Sequence, residues 1–228
     1  MSTRYAPSRP SHASWPVGMP VSFDSPSPVA PICAKGTDDC SDDYAAHAAR
    51  VERAMVKSDE RRDALLDKLA DFVLAEGLSA ASLRPLAQAA GISDRMLLYY
   101  FKDKTAVMAA TLERIAQRMM VLMDSGTARG KLDRAALQAH LLDLVLADAF
   151  WPYMRVWLEV ASMAARNDSL YRPVAEQIGR AFLSWGIAQL DGPTPEAREA
   201  DAARLLVTIE GMVMVKSFGL DAICLKAL

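Results

Sequence analysis

The segment GISDRMLLYYFKDK, residues 91 to 104, places cationic and aromatic side chains at helical spacing. On a helix, one face carries Arg95, Tyr99 and Lys102 together with the apolar Leu98, three or four residues apart. An arginine can donate hydrogen bonds to guanine O6 and N7 in the DNA major groove, and a lysine neutralises phosphate. These residue types therefore predict a surface that binds nucleic acid.

The opposite face of the same segment is apolar and is predicted to pack into a hydrophobic core. Its members are Ile92, Leu97, Tyr100 and Phe101. Taken alone, the run MLLYYF is also typical of a buried seam in an ordinary helical bundle, in which Arg95 and Lys102 would simply be solvated. The neighbouring elements favour the nucleic-acid interpretation.

Two short helices separated by a turn are expected on either side of Gly91. Ser82 is positioned to cap the first, which ends at residue 90, and Ser93 caps the second, residues 94 to 100. Pro85 is tolerated because it lies in the first turn, where the amides lack intrahelical partners. This is a helix-turn-helix arrangement, in which the second helix enters the DNA major groove.

Longer amphipathic helices surround this unit. One is predicted from Arg61 to Gly77, and another from about residue 104 to the glycine-containing break DSGTARGK at residues 124 to 131. Four more are predicted near residues 132 to 149, 151 to 166, 169 to 190 and 196 to 218. No strand pattern competes with them, so the predicted fold class is all-α.

The charge of the chain has to be read by segment. The 228 residues are 52% hydrophobic and carry a net charge of -2, so no field of the whole molecule attracts nucleic acid. Residues 57 to 118 hold ten Lys/Arg against nine Asp/Glu, and the rest of the chain is net negative. DNA binding would therefore depend on the placement of a few cations.

The N-terminal segment has a different composition. Residues 1 to 41 contain seven Pro and eight Ser without periodicity, which predicts disorder. Residues 1 to 56 are interpreted as a tail, or as the product of a misassigned start that Met55 would replace. No signal peptide or membrane span is predicted, and three cysteines without framework spacing favour a reducing cytoplasm.

Metal and catalytic chemistry find no support in the sequence. Cys33, Cys40 and His47 lack zinc-site spacing, so no metal site is expected. No Gly-rich phosphate loop, HExxH helix or GxSxG elbow is present, and the three histidines form no evident acid-base pair. We expect neither an enzyme nor a cofactor.

Residues 61 to 112 resemble the N-terminal DNA-binding domain of TetR-family transcriptional regulators. The resemblance is carried by LAQAAGIS, by the aromatic pair in YYF and by KDK, whose last residue opens the next helix. It implies a DNA-binding domain over residues 57 to 123, connecting helix included, followed by a helical ligand-binding and dimerisation domain over residues 130 to 228.

The resemblance also implies roles for individual residues. Tyr99, Tyr100 and Lys104 match phosphate-contacting positions, and Arg84 matches a position that reads a base in some members. The stretch that enters the groove matches Ser93, Asp94, Arg95 and Met96. With Ser82 and Lys102, these complete the predicted DNA-contacting set.

Two residues of this set, and Leu98 beside them, leave alternatives open. The family usually has Tyr at Leu98 and a small or polar residue at Met96; here both are apolar, and they could meet thymine methyl groups or mark lost contacts. Asp94 could accept from a cytosine amino group or complement the dipole of its own helix, and we favour the dipole.

A ligand pocket is expected in the C-terminal half, since methionine and tryptophan suit an adaptable apolar cavity. The candidates are Met119, Met123, His140, Phe150, Trp151, Met154, Trp157 and Met163. For any one of them plain core packing is the competing interpretation. Arg155 and Glu159, four residues apart, are expected to pair with each other.

Two apolar stripes predict a homodimer interface built as a four-helix bundle. They consist of Leu170, Val174, Ile178, Phe182 and Trp185 on one helix, and Leu205, Ile209, Met212 and Val213 on the next. Gly179, Gly186 and Gly211 would permit close approach there. The alternative is that both stripes only close the core of the monomer.

The predicted function is a DNA-binding transcriptional regulator. It would act as a homodimeric repressor on a pseudo-palindromic double-stranded operator and be released by a small apolar or amphipathic ligand of unknown identity. The alternative is a helical protein that binds small molecules or other partners without DNA and has kept this architecture.

Overall fold

The computed structural model describes residues 40 to 126 and 130 to 226. Over these ranges the chain is helical, with one isolated bridge between Leu132 and Leu190. The helices are α1 Cys40–Glu76, α2 Leu83–Ala90, α3 Asp94–Tyr100, α4 Lys104–Gly126, α5 Arg134–Leu146, α6 Trp151–Ala165, α7 Tyr171–Gln189, α8 Pro195–Ser217 and α9 Asp221–Lys226. The all-α prediction is thereby confirmed.

The contacts divide the chain into Met1–Arg50 and Val51–Leu228. Residues 1 to 39, where disorder was predicted, lie outside the described residues. Helix α1 already begins at Cys40, so the predictions of a tail to residue 56 and of a helix starting at Arg61 place its start too late. The segment HAARVERAMV, residues 47 to 56, contains three Ala and two Arg, which favour helix even though nearly all of its side chains are exposed.

The turn between α2 and α3 follows from local chemistry. Gly91 adopts the left-handed conformation, φ 75°, and ends α2, while Lys68 Nζ donates to Ala90 O at 3.2 Å. Ser93 Oγ accepts from the Met96 amide at 3.2 Å and caps α3. Ser82 precedes α2, but its hydroxyl makes no capping bond.

The missing Ser82 bond corrects the predicted cap and has a simple cause. An N-cap side chain accepts from the amide of the second or third helical residue. Here the third helical residue is Pro85, which has no amide hydrogen. Only the Ser82 carbonyl contributes, accepting from Leu86 N at 3.1 Å.

Two hydrophobic clusters divide the unit Val51–Leu228. The first contains side chains from α1, α2, α3 and the first half of α4, among which Leu69, Leu86 and Leu97 are fully buried. Val156 and Val160 of α6 also belong to it. The second joins the second half of α4 to helices α5 to α9. Helix α4 belongs to both clusters, so it connects the helix-turn-helix to the C-terminal helices.

One helix was missed from the sequence. After α8 the chain turns at Gly219, φ 75°, and forms α9. The sequence predicts four helices beyond residue 131, whereas the described part of the structure has five there. Cys224 of α9 is buried, and its Sγ lies 3.5 Å from Met212 O. In the described ranges no helix has the length and apolar character that a bilayer crossing would demand.

Candidate functional site

The helix-turn-helix presents four cationic side chains to solvent. Arg84 lies on α2, Arg95 on α3, Lys102 in the turn that follows, and Lys104 is the first residue of α4. All four are exposed, and within the described part of the chain none has an ion pair or a side-chain hydrogen bond. They are therefore available to an external anion.

The two tyrosines divide their roles by burial. Tyr99 is 79% exposed, whereas Tyr100 is half-buried and packs on the first hydrophobic cluster. Their rings meet edge to face with centroids 5.6 Å apart. Tyr99 thus projects from α3 while Tyr100 anchors the helix, with Leu97 and Phe101 buried beneath it.

The neighbours of the cations on this surface are two apolar side chains and two carboxylates. Met96 and Leu98 are 42% and 40% exposed, so both are accessible to solvent. Asp94 lies in the first turn of α3, where a carboxylate complements the helix dipole. Asp103 Oδ1 accepts from Ala106 N at 2.8 Å and caps α4.

Acidic residues of the same block are paired on other elements. Arg114 and Arg118 of α4 form ion pairs with the α1 carboxylates of Asp63, Asp67 and Asp71, with N–O distances of 2.6 to 3.5 Å. Three of the nine acidic residues of the block from 57 to 118 are thus neutralised by arginines of α4. Residues 82 to 104 keep four Lys/Arg against two Asp.

A second candidate site is a cavity within the second hydrophobic cluster, part of which is open to solvent. Its wall is almost entirely apolar, which is typical of small-molecule sites. The lining comprises Met119, Met123, Leu137, Leu141, Leu144, Val145, Phe150, Met154, Trp157, Phe182, Trp185, Gly186, Ala202, Leu205, Leu206, Ile209, Glu210 and Val213. Five of the eight predicted pocket residues are among them: Met119, Met123, Phe150, Met154 and Trp157.

The other three predicted pocket residues, Trp151, His140 and Met163, do not line this cavity. Trp151 packs under Lys216, whose Nζ lies 4.7 Å from the ring centroid and donates to Leu146 O at 2.7 Å. His140 buries an unbonded Nε2 on α5. Met163 lies near the end of α6, well past the point where Trp157 meets the cavity.

Two indole N–H groups of the lining are held by carboxylates. Trp157 Nε1 donates to Glu210 Oε2 and Trp185 Nε1 donates to Asp124 Oδ1, both at 2.7 Å. Burial raises the pKa of Glu210, and the hydrogen bond from Trp157 acts in the opposite direction. Sequence reasoning missed Glu210; its signal is a single acid in the apolar run LLVTIEGMVMV.

The predicted dimer stripes turn inward instead of forming an outer face. Five of their residues line the cavity: Phe182, Trp185, Leu205, Ile209 and Val213. Ile178 and Met212 are buried as well, and Leu170 and Val174 pack on the first cluster. These contacts fit the competing interpretation, in which both stripes close the core of the monomer.

Helix α8 has a second apolar face, which is exposed. Val207, Met214 and Phe218 are 72%, 47% and 65% exposed, and with Gly211 they are spaced four, three and four residues apart. We call these four residues the outer stripe. A Cβ on Gly211 would meet nothing within 4 Å, and the same holds for Gly179 on α7, whereas one on Gly186 would lie 3.5 Å from Ala202.

Helix α6 connects the cavity to the DNA-binding part. Arg155 Nη2 donates to Leu74 O and Ala75 O at 3.0 and 3.2 Å, and Glu159 Oε2 accepts from Leu78 N at 2.9 Å. The expected Arg155–Glu159 pair is therefore wrong: each side chain instead binds the backbone at the end of α1. Orphan carbonyls and amides at a helix end are better partners than an exposed ion pair.

We predict that Gly77→Ala destabilises the protein more than Gly91→Ala. Both glycines adopt positive φ, 83° and 75°, where alanine costs about 1–2 kcal/mol. At Gly77 a Cβ would also lie 2.8 Å from Glu159 Oε1, while at Gly91 the nearest atom, Lys68 Nζ, is 4.0 Å away. Displacing Glu159 from Leu78 N should add about 1 kcal/mol, measurable by urea unfolding of the two variants. Equal losses would show that the Glu159 contact contributes nothing.

Comparison with known proteins gives consistent matches. The family model described as bacterial regulatory proteins, tetR family, matches residues 65 to 111. The HTH-type transcriptional regulator BetI of Ectopseudomonas mendocina is 26% identical over 117 residues, which cover 49% of this chain and 59% of that protein. BetI of Klebsiella pneumoniae is 25% identical over 161 residues, covering 67% of this chain and 80% of that one.

Solved structures agree on the architecture. A transcriptional regulator from Rhodococcus sp. Rha1 superposes with a TM-score of 0.57 at 26% identity, covering 71% of this chain and 86% of that chain. That superposition extends well beyond the segment of 47 residues, 65 to 111, that the family model covers. The likeness therefore includes C-terminal helices as well as the helix-turn-helix.

Proposed function

We infer that the chain belongs to the TetR family of bacterial regulatory proteins and is a DNA-binding transcriptional regulator. We propose that it acts in the cytoplasm as a homodimeric repressor that a small ligand releases from its operator. The observation that carries this proposal is the exposed set of unpaired cations on α2, α3 and the start of α4. Together with the exposed Tyr99, they lie on or next to the helix that, in a helix-turn-helix, enters the major groove.

The proposed DNA contacts follow from these positions. Arg95 and Met96 lie in the first turn of α3, which approaches base edges in a helix-turn-helix. Arg84 reaches the groove from α2, and Tyr99, Lys102 and Lys104 lie where phosphates pass. Base contacts supply specificity and phosphate contacts supply position, so Arg84 and Arg95 would select the operator.

DNA fragments selected by the purified protein, followed by a salt titration of binding, test this assignment. Binding through several phosphates must weaken steeply, with the logarithm of affinity falling linearly against the logarithm of salt concentration. Absent or salt-insensitive binding would instead support the alternative, a helical protein that binds small molecules without DNA.

The outer stripe of α8 supports a homodimer. A surface helix with apolar residues on two faces is expected to bury both. The inner face covers the cavity, so the outer stripe, together with the open approaches at Gly211 and Gly179, suits a second copy of the same helix pair. A two-fold dimer would present two recognition helices to half-sites about one DNA turn apart.

The cavity supports ligand-induced release through two connections to the DNA-binding part. Met119 and Met123 of α4 line it, and Trp185 is bonded to Asp124 of the same helix. Trp157 of α6 also lines it, two residues from Arg155 and from Glu159, which hold the end of α1. A ligand that favours one position of α4 and α6 would change the spacing of the recognition helices.

We predict that Arg155→Ala weakens this coupling. A ligand found by thermal-shift screening of apolar and amphipathic compounds should still bind the variant within about twofold, since Arg155 does not line the cavity. The ligand-induced loss of DNA affinity should shrink by about fivefold or more, the lower end of typical coupling energies. Gel-shift titrations with and without ligand measure both quantities. Arg166→Ala, an exposed arginine at the other end of α6, is the control and should keep full release.

A further inference from the structure

The cavity lining contains one titratable side chain among the described residues, Glu210. It lies on α8 between Ile209, which also lines the cavity, and Gly211 of the outer stripe. The lining also contains the aromatic residues Phe150, Trp157, Phe182 and Trp185, of which Trp157 is bonded to Glu210. The rest of the wall is aliphatic, glycine or methionine, so Glu210 and the tryptophan that bonds it dominate the polarity of the cavity.

Anchoring the indole does not by itself require a carboxylate. Trp157 Nε1 needs only one acceptor, and a glutamine carbonyl would serve without the cost of burying a charge. Glu210 uses Oε2 for this bond, and in the described part of the chain no donor or cation is bonded to Oε1. Burial raises the pKa of Glu210 and outweighs the opposite effect of the hydrogen bond from Trp157.

We propose that the ligand of this regulator is an amphipathic organic cation, whose ammonium group pairs with Glu210 and whose apolar body fills the remaining cavity. The proposal rests on the proposed function of the cavity as the ligand site. A cation supplies the missing counter-charge at Oε1, and aromatic rings attract ammonium groups through their π-faces. The methionines Met119, Met123 and Met154 adapt to an aliphatic body.

The chemistry of the lining separates this class from its competitors. An anionic amphiphile would place a second negative charge beside Glu210 in a region of low dielectric, and the two would repel each other. A neutral amphiphile could fill the apolar space, but it would leave the carboxylate without a counter-charge. Only a cation gains from both parts of the wall.

Three ligands with the same decyl chain and different charge test the proposal: decyltrimethylammonium, 1-decanol and decanoate, each below its micelle concentration. Binding to the protein without DNA is followed by calorimetry and by the fluorescence of Trp157 and Trp185. The unsubstituted protein should bind the cation about tenfold or more tightly than the alcohol, and decanoate more weakly than either.

Glu210→Gln is the matched variant, because the amide keeps an acceptor for Trp157 and removes the charge. It should lose about tenfold in affinity for decyltrimethylammonium and change by less than about twofold for 1-decanol. Glu199→Gln, an exposed glutamate near the start of α8, is the control and should bind like the unsubstituted protein. Equal affinities of the unsubstituted protein for cation and alcohol would overturn the proposal even if Glu210→Gln failed to fold.

Release from DNA is measured separately with the selected operator. Cation binding that depends on Glu210 but leaves the operator complex intact would uphold the ligand class and contradict the proposed release mechanism. Release by decanol or decanoate with no preference for the cation would contradict the ligand class and uphold the release mechanism. The two proposals can therefore fail independently.

Discussion

The combined substitution Arg84→Ala and Lys104→Ala is expected to lower affinity for the selected operator by about a hundredfold or more, which a gel shift would show as loss of the complex. Arg84→Ala would remove a contact to a base edge, and Lys104→Ala would remove a contact to phosphate. Each change occurs in both protomers of a dimer, so four contacts are lost per operator. Because neither side chain has a described partner within the protein, thermal unfolding should stay close to that of the unsubstituted chain.

The control for this result is an equal change of charge elsewhere. Lys131→Ala with Arg166→Ala also removes two exposed cations, on either side of α5 and α6. It should lower DNA affinity by less than about threefold, since only long-range attraction is reduced. The Arg84 and Lys104 pair should also decrease the salt dependence of binding through the lost Lys104 phosphate contacts, whereas the control should not. Unchanged operator binding by the first pair would refute the assigned interface.

The helix-turn-helix could be predicted because its signals are local. Gly91 permits the left-handed turn, Ser93 caps α3, and the alternation of Leu97 with Arg95 and Tyr99 sets the inner and outer faces. Each of these effects acts within one helical turn, so reading the sequence suffices to place it. The Ser82 cap is the exception, because Pro85, the third residue of α2, has no amide hydrogen for the hydroxyl oxygen to accept.

The charge argument needed the structure. A block with ten cations and nine anions predicts little, because the count does not say which charges face each other. The carboxylates of α1 recur every four residues from Asp63 to Asp71 and meet Arg114 and Arg118 on α4, about fifty positions along the chain. This long-range pairing leaves the surface around Arg84 and Arg95 more basic than the block as a whole.

The faces of α8 could not be assigned from the sequence for a related reason. The helix carries apolar residues on more than one face, so the periodicity of its sequence alone does not show which face is buried. Leu205 and Val213 looked as suitable for a dimer as Val207 and Met214 do, and only the position of the cavity shows that the first pair is internal. The role of Glu210 also needed the structure, because its hydrogen bond with Trp157 joins residues 53 positions apart.

Val207→Glu is expected to convert the regulator from a dimer to a monomer at micromolar concentration. Val207 is 72% exposed in one chain, and in the proposed dimer it would be buried against the outer stripe of the second copy. Two glutamates brought together at a two-fold apolar interface would be desolvated and would repel each other. Sedimentation velocity should show the mass of one chain instead of two.

The matched control is Val121→Glu, since Val121 is 67% exposed on α4 and lies outside the outer stripe. It makes the same chemical change away from the outer stripe, so the dimer should persist. Loss of the dimer should also lower affinity for a two-half-site operator by about a hundredfold, because the second half-site no longer binds as part of one complex. If Val207→Glu sediments as a dimer and binds the operator normally, the contact between protomers must use another surface. Monomers formed by both variants would point to general destabilisation.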